Sequence, residues 1–317
     1  MTLCLEINGF MRENRKGEKL IFFMMKRLLF IFNPAAGKGT ITGKLYSVIN
    51  SYFQAGYLVT AVPTARQDIL RTILTPPDME YDMIVCAGGD GTLNQVISAY
   101  MCAGCRIPIG YVPSGSTNDF AKTLGCSSDF QKALENTCSG TVRKIDVGSF
   151  DDRYFVYVAA FGKLAEISYS TSQSVKNILG HFAYILKGIK TVTELKAYRL
   201  KMECNDFVAE DDFIIGLVMN SLSVGGFKNQ VSKDVRLDDG LFEVLLVRMP
   251  KNIMELQSLI VDLIGQNMNN ELLIYVQTDK IKIESEPVGW SLDGEFGGIK
   301  ESVEIQNRRC AVQIAGS

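Results

Sequence analysis

Histidine is almost missing from this 317-residue chain, and His181 is the only one. Mechanisms that need two histidines are excluded, and a Ser-His-Asp arrangement would have to pass through that single residue. A general base is therefore sought among the carboxylates. An excess of one charge is also missing, with 33 Lys and Arg against 35 Asp and Glu and a formal net charge of −2. A general nucleic-acid binder carries a basic surplus, so no nucleic-acid partner is expected. Cysteine is thinly spread, with eight residues at 4, 86, 102, 105, 126, 138, 204 and 310. That is too sparse for a disulfide scaffold, and the lone Cys102/Cys105 pair lacks the further ligands of a structural zinc site. Free thiols in a reducing, cytoplasmic setting are expected.

Long apolar runs are absent too. No stretch reaches the roughly 18 residues that span a bilayer. Leu20–Phe32 comes nearest, but Lys26 and Arg27 split it, and the part before them is too short for a signal peptide. A soluble protein is expected. Residues 1–24 read as a poorly ordered extension, because a strand begins directly after Met24 and Met25, one of which is the expected natural start.

Core-forming residues, by contrast, are plentiful, at 47% hydrophobic against 21% charged. From Arg27 to about Val147 short apolar runs alternate with amphipathic stretches. Leu28–Phe32, Leu58–Val62, Met83–Ala87 and Ile107–Val112 have the length and continuity of buried parallel strands. Thr92–Tyr100 sets Leu93, Val96 and Ile97 on one helical face. Such alternation predicts a parallel sheet covered by helices, whose ligands bind beyond the carboxyl ends of its strands. After about Ile145 the texture changes to strands rich in aromatic and branched residues: Tyr154–Ala160, Arg199–Cys204, Phe213–Met219, Leu241–Arg248, Leu272–Gln277 and Lys280–Glu284. These predict an antiparallel sandwich, interrupted by helices at Ser174–Leu195 and Ile253–Met268.

Four loops carry chemistry. Gly88-Gly89-Asp90-Gly91-Thr92 follows a strand and opens a helix, so backbone N–H groups and a helix N-terminus converge on an anion. A carboxylate in such a loop meets a metal or deprotonates a hydroxyl, unless Asp90 only caps the helix. Asn33-Pro34-Ala35-Ala36-Gly37-Lys38-Gly39 lacks the Walker A spacing, yet Lys38 offers a point charge to phosphate. Pro113-Ser114-Gly115-Ser116-Thr117-Asn118-Asp119-Phe120 adds hydroxyl and amide groups and another carboxylate. In Trp290-Ser291-Leu292-Asp293-Gly294-Glu295 two carboxylates flank a glycine, as a catalytic pair or as a plain Asp-Gly hairpin. Each loop alone also fits an ordinary turn; three polar loops at three strand ends are harder to explain that way.

In this order the four segments resemble the diacylglycerol kinase catalytic-domain superfamily, in particular the soluble bacterial diacylglycerol and lipid kinases, from about Met25 to the C-terminus. The GGDGT loop is shared with NAD kinases and phosphofructokinases. Its combination with NPAAGKG, SGSTNDFA and DGE is specific to the lipid-kinase branch, and Phe161–Lys190 resembles that branch's second domain. The resemblance implies an α/β N-terminal domain with a NAD-kinase-like parallel sheet over 25–147, completed by about 300–317. It also implies a β-sandwich C-terminal domain for the lipid substrate over 148–299. ATP contacts are implied at Asn33, Pro34, Ala35, Ala36, Gly37 and Lys38, and at Thr64. Further contacts are implied at Gly88, Gly89, Asp90, Gly91, Thr92, Leu93, Asn94 and Gln95, and at Ser116. Glu295 is implied as proton acceptor, with Asp90, Asp119 and Asp293 as essential carboxylates beside it. A structural Mg²⁺ site maps onto Arg236, Asp239 and Leu241, with main-chain carbonyls from the outer two, an oxygen set suited to a hard cation. Ser116 stands where the family has threonine, and Gln95 where glutamate is common.

The expected activity is ATP- and Mg²⁺-dependent phosphorylation of the hydroxyl of diacylglycerol to phosphatidic acid, with Glu295 or Asp293 taking the proton. Phosphatidylglycerol or a sphingoid base are alternative acceptors; NAD kinase and a catalytically silent nucleotide-binding module are the competing readings. Between Lys163 and Lys201 stand seven basic residues against Glu166 and Glu194. That bias suits peripheral contact with an anionic membrane surface or a solvated helix face. A homodimer is expected from the resemblance alone.

Overall fold

The structure is a computed structural model that describes residues 9–13, 19–23, 25–36, 40–64, 67–74, 81–115, 118–139, 141–162, 178–205, 207–220, 237–265 and 267–316. Within the N-terminal extension, β1 (Gly9–Glu13) and β2 (Lys19–Phe23) pair antiparallel, apart from the main sheet.

Four parallel strands follow: β3 (Lys26–Phe32), β4 (Tyr57–Pro63), β5 (Met83–Gly88) and β6 (Ile109–Pro113), side by side in the order β6-β5-β3-β4. Helices α1 (Thr40–Gln54) and α5 (Phe130–Ser139) cover one face of this sheet. There Leu28, Phe30 and Val85 bury against Val48, Tyr52 and Leu134. Helix α3 (Asp90–Ala103) belongs to the other face, where Leu29, Ile31, Ile84 and Cys86 meet Val96, Ile97 and Tyr100. Because both faces are covered, these strands read as unbroken apolar runs rather than alternating ones. Helices α2 (Gln67–Ile73) and α4 (Asp119–Leu124) complete this half. The chain runs β3 to β4 on one side, then crosses back to place β5 on the other side of β3. The reversal leaves a crevice beyond the carboxyl ends of β3 and β5, where open α/β sheets bind ligands.

The remaining strands are β7 (Val142–Phe150), β8 (Arg153–Phe155), β9 (Val158–Gly162), β10 (Tyr198–Cys204), β11 (Phe207–Met219), β12 (Phe242–Arg248), β13 (Leu273–Thr278), β14 (Lys280–Leu292) and β15 (Glu295–Ala315). The long strands β11 and β14 each pair with β10 along one half and with β9 along the other. The sheet thereby folds over on itself around Phe150, Phe155, Phe161, Phe213, Phe242 and Trp290. The Trp290 ring packs edge-on against Phe150 and Phe161, with centroids 5.0 and 5.1 Å away. Burying each such ring contributes about 1.5–3 kcal/mol. Two helices, α6 (Ile178–Lys187) and α7 (Ile253–Gly265), pack together and join the other core through Phe182, Leu186, Leu256 and Leu259.

The expected sandwich is not separate from the parallel half. β15 pairs with β14 and β7, and through Ile314 and Ala315 runs parallel to β6. Among the described residues β3 to β15 form one 13-stranded hydrogen-bonded sheet. The helix expected over Ser174–Leu195 is described only as Ile178–Lys187, with a 3₁₀ turn at Val192–Glu194 under a Thr191/Glu194 capping box. Residues 163–177 lie outside the described residues. No described helix is long and apolar enough to cross a membrane.

Candidate active site

The loops after β3, β4, β5 and β6 gather at one end of the sheet, held there by backbone bonds. Asn33 N–H donates to the Ala87 carbonyl at 3.0 Å, Thr64 N–H to Phe32 at 2.8 Å, and Ser114 N–H to Gly88 at 2.9 Å. The Asn33 side chain then closes its own loop, accepting from Ala35 N–H at 2.9 Å and donating to Thr92 Oγ1 at 3.3 Å. The loops after β5 and β6 touch directly. A Cβ on Gly89 would sit 3.3 Å from the Gly115 Cα, and one on Gly115 would sit 2.5 Å from the Gly89 Cα. The Asn118 amide locks the second loop, accepting from Gly115 N–H at 2.9 Å and donating to the Gly115 carbonyl at 2.8 Å.

Gly89, the N-cap of α3, has no side chain to cap the helix, so the positive end of the helix dipole opens at the end of β5. Asp90 is the first residue of α3 rather than a loop residue. Its Oδ1 accepts from Phe120 N–H at 3.1 Å, which ties the start of α4 to the start of α3. Loop oxygens and the N-terminus of a helix, drawn together by close backbone contact, make a surface that can receive a phosphate chain.

Across the crevice the β14–β15 turn supplies Asp293 and Glu295. Asp293 adopts a left-handed backbone (φ 50°). Its Oδ1 accepts from the N–H groups of Tyr157 and Val158, both at 2.8 Å. Its Oδ2 accepts from Val156 N–H at 2.7 Å and from the side-chain amide of Asn94 on α3. Ser98 Oγ in turn donates to Asn94 Oδ1 at 3.0 Å. Burial pushes the Asp293 carboxyl up to about 6, against the pull of these four donors. The same donors explain why the strand expected over Tyr154–Ala160 is broken into β8 and β9. Residues 156 to 158 turn their N–H groups onto a carboxylate instead of a neighbouring strand.

A carboxylate offers about four lone-pair positions, and Asp293 has all four engaged. Glu295 is its opposite: exposed, and without a hydrogen bond or ion pair among the described residues. Its Oε1 lies 3.8 Å from where a Cβ on Gly91 would begin, which sets the carboxylate over the first turn of α3. Glu295 lines a cleft of about 170 Å³ with Gly91, Asn94, Gln95, Ser98, Arg153 and Tyr154. A second, water-sized pocket of about 30 Å³ brings together Asp90, Asp293, Asn94, Phe120, Val156 and Tyr157. Arg153 donates to the Phe296 carbonyl at 2.8 Å, and Lys300 pairs with Asp151 at 2.7 Å, bracing the turn that carries Glu295.

Of the residues singled out in the sequence, Asp90, Asn94, Gln95, Asp293 and Glu295 meet around these two pockets. Asn33, Thr64 and Gly88 to Thr92 stand at the strand ends nearby. Asn94, read as an ATP contact, spends its amide on Asp293. Gly37, Lys38, Ser116 and Arg236 lie outside the described residues, as do the side chains of Asp119 and His181. Cys102 is exposed while Cys105 is buried with its thiol on the Leu74 carbonyl, and the described cysteines are all free.

Sequence reasoning passed over Asp146. It is fully buried in β7, accepting from Gly240 N–H at 2.6 Å and Cys310 N–H at 2.7 Å. Asn220 donates to its main-chain carbonyl at 2.7 Å. An isolated aspartate within the apolar run Ile145–Val147 was the available signal. The Gly240 it holds belongs to the segment expected to carry Mg²⁺. There Asp239 Oδ1 accepts from Leu241 N–H at 3.0 Å. Close by, Glu243 is 7% exposed, and its Oε2 has no hydrogen-bond partner among the described residues. Burial and the charge of Asp239 push it up to about 7. No group of three or more His, Cys, Asp or Glu among the described residues is arranged to hold a metal. One carboxylate, main-chain carbonyls and an orphaned buried carboxyl oxygen nevertheless fit a hard cation's preference for oxygen.

Comparison with known proteins places the chain among relatives of one kind. Residues 27–150 match the family described as the diacylglycerol kinase catalytic domain. The chain is 32% identical over 278 residues to a diacylglycerol kinase of Bacillus subtilis, spanning 87% of this chain and 91% of that one. It is 33% identical over 282 residues to a diacylglycerol kinase of Staphylococcus epidermidis, spanning 87% of each. A crystal structure of a diacylglycerol kinase from Bacillus anthracis shares the fold, with a TM-score of 0.71 at 20% identity, over 93% of this chain and 99% of that one.

Proposed function

The chain belongs to the diacylglycerol kinase family, and from that premise we propose that it transfers the γ-phosphoryl group of ATP to the free hydroxyl of diacylglycerol, giving phosphatidic acid and ADP. The observation that carries the reading is Glu295, whose unengaged carboxylate stands over the first turn of α3, between a phosphate-receiving crevice and an open cleft.

Phosphoryl transfer asks mainly for positioning and charge neutralisation. The loops at Asn33–Ala36, Thr64, Gly88–Thr92 and Ser114–Gly115 receive the nucleotide phosphates against the N-terminus of α3. The lipid hydroxyl enters by the cleft that Gln95, Ser98, Arg153 and Tyr154 line with Glu295. Glu295 takes the hydroxyl proton as the oxygen bonds to the γ-phosphorus and the bond to the β-phosphate oxygen breaks. Asp293 does not compete as base, because all its oxygens are occupied. It is a positioning residue, fixing Val156–Val158 and, through Asn94, the register of α3 against the turn. Asp90 holds the start of α4 and presents its carboxylate beside the phosphates.

Magnesium bound with ATP would spread the phosphate charge. In the segment before β12, Asp239 and the Leu241 carbonyl would hold a structural Mg²⁺, with residue 236 beyond the described residues. Peripheral contact with the membrane is part of the proposal, and the basic surplus supporting it is narrower than the sequence suggests. Arg199 is paired with Glu210 and Asp212, and Lys201 with Glu203. Lys187 and Lys190 remain exposed.

The decisive experiment incubates the protein with γ-labelled ATP, Mg²⁺ and mixed micelles containing diacylglycerol, followed by organic extraction. Label in the organic phase migrating as phosphatidic acid is expected. Label on another lipid would name a different acceptor, a labelled product in the aqueous phase on adding NAD would favour the NAD-kinase reading, and intact ATP would leave a silent module.

A further inference from the structure

The solvent side of α7 is unlike that of an ordinary surface helix. Its outward residues are Ile253, Met254, Gln257, Ser258, Val261, Ile264 and Gly265, none of them charged. A surface helix normally turns charge and polarity outward. Here Met254 is 73% exposed, Val261 67% and Ile264 51%. The helix does have acids, but they are turned aside. Glu255 accepts from Lys251 N–H and Asn252 at its own N-terminus, and Asp262 is taken by Asn267 and Asn270. The neighbouring helix α6 continues the pattern with Tyr184, 75% exposed, one turn before exposed Lys187. Lys190 follows α6, and Lys251 precedes α7, both exposed.

We propose that this face of α6 and α7 docks on an anionic lipid bilayer, with Met254, Val261, Ile264 and Tyr184 entering the headgroup layer and Lys187, Lys190 and Lys251 meeting lipid phosphates. The proposal rests on the lipid-kinase reading, and it names the surface by which the enzyme reaches its substrate. Apolar side chains bordered by lysines, without exposed acid on the outward side of α7, are complementary to an interface that is apolar below and negative above. A second copy of the chain suits the face less well. A two-fold contact centred here would confront these lysines with their own symmetry mates, whereas anionic headgroups neutralise them.

The test compares the full chain with the triple variant Met254→Ser, Val261→Ser, Ile264→Ser by co-sedimentation with vesicles of phosphatidylglycerol in phosphatidylcholine. The variant is expected to lose about tenfold or more of its vesicle affinity. Its melting temperature and its turnover of a dispersed short-chain diacylglycerol should match the parent. A second variant, Val261→Trp, should show fluorescence quenched by brominated lipid, against a native Trp290 that is buried in the core. Undiminished sedimentation together with an unquenched Val261→Trp would overturn the proposal. So would unchanged vesicle binding with loss of a dimer, which would assign the face to a second copy. Absence of turnover on the dispersed substrate by the parent would instead count against the kinase reading, and vesicle binding would still be read independently.

Discussion

A methyl group on Gly115 would lie 2.5 Å from the Cα of Gly89. The loops after β5 and β6 therefore meet backbone to backbone, and no side chain larger than hydrogen fits between them. Gly115→Ala is expected to push the two phosphate-facing loops apart at a cost of about 1–3 kcal/mol. Calorimetric titration should find ADP affinity reduced by about tenfold or more, at 1.4 kcal/mol per decade. Unchanged affinity would show that the contact does not shape the nucleotide site.

The Glu295 carboxylate is exposed and makes no hydrogen bond or ion pair among the described residues, so Glu295→Gln should leave the melting temperature alone. Turnover should fall by about 10²–10⁴, the usual contribution of a general base, while nucleotide affinity is kept. A variant with near-parental turnover would remove Glu295 from the mechanism.

Asp293 supports the fold as well as the site. Asp293→Asn turns an amide toward backbone N–H groups and leaves a buried donor unpaired, at about 1–3 kcal/mol. Its folded carboxyl binds the proton more tightly than the free side chain, with the affinity raised from 3.8 to about 6. The group's contribution is thus complete below about pH 4 and declines as pH rises through 6. Denaturant melts across that window should show a falling component in the parent that is missing from Asp293→Asn. Parallel curves for the two proteins would contradict the assignment.

Mg²⁺ held by Asp239 would bind the native state only. Saturating Mg²⁺ should raise the parent's melting temperature, by about 2.7 kcal/mol of stability at a hundred times the dissociation constant. EDTA should reverse the rise, and Asp239→Asn should not respond to either. Equal responses in both proteins would place the cation elsewhere.

Lys187 and Lys190 are expected to act through charge. The double reversal Lys187→Glu, Lys190→Glu should weaken binding to anionic vesicles, at about 1 kcal/mol per lysine near the surface. It should leave binding to neutral vesicles unchanged. Raised salt should weaken the parent in the same way. Insensitivity to both would return these lysines to a solvated helix face.

The parallel half was readable because its signals are local. Covered faces make continuous apolar runs, and a strand followed by Gly88-Gly89-Asp90 announces its own turn; the observed strands differ from the expected ones by a residue or two at their ends. What escaped is bound over long distances. Asn94 meets Asp293 across 199 positions, so nothing near Asn94 hints that its amide is committed there. The break within Tyr154–Ala160 has the same origin, since the run has strand composition and yields only because a distant carboxylate claims three of its N–H groups. Asp146 was overlooked because its partners, Gly240 and Cys310, are backbone groups, which carry no sequence signal. Choosing between Asp293 and Glu295 likewise needed their hydrogen bonds, because residue type alone makes the two equivalent.

The pairing of β15 with β6 imposes a timetable on synthesis. β6 is made early, yet the strand that lies beside it, at Ile314 and Ala315, is the last of the described strands to leave the ribosome. Through all the intervening translation β6 has β5 on one side and an open edge on the other, the kind of edge that invites pairing with other chains. The parallel half cannot close its sheet as it emerges and must wait for β15. A nascent chain stalled before β15 would thus lack both the neighbour of β6 and Glu295, which begins that same strand, so one element supplies the missing edge and the proposed base.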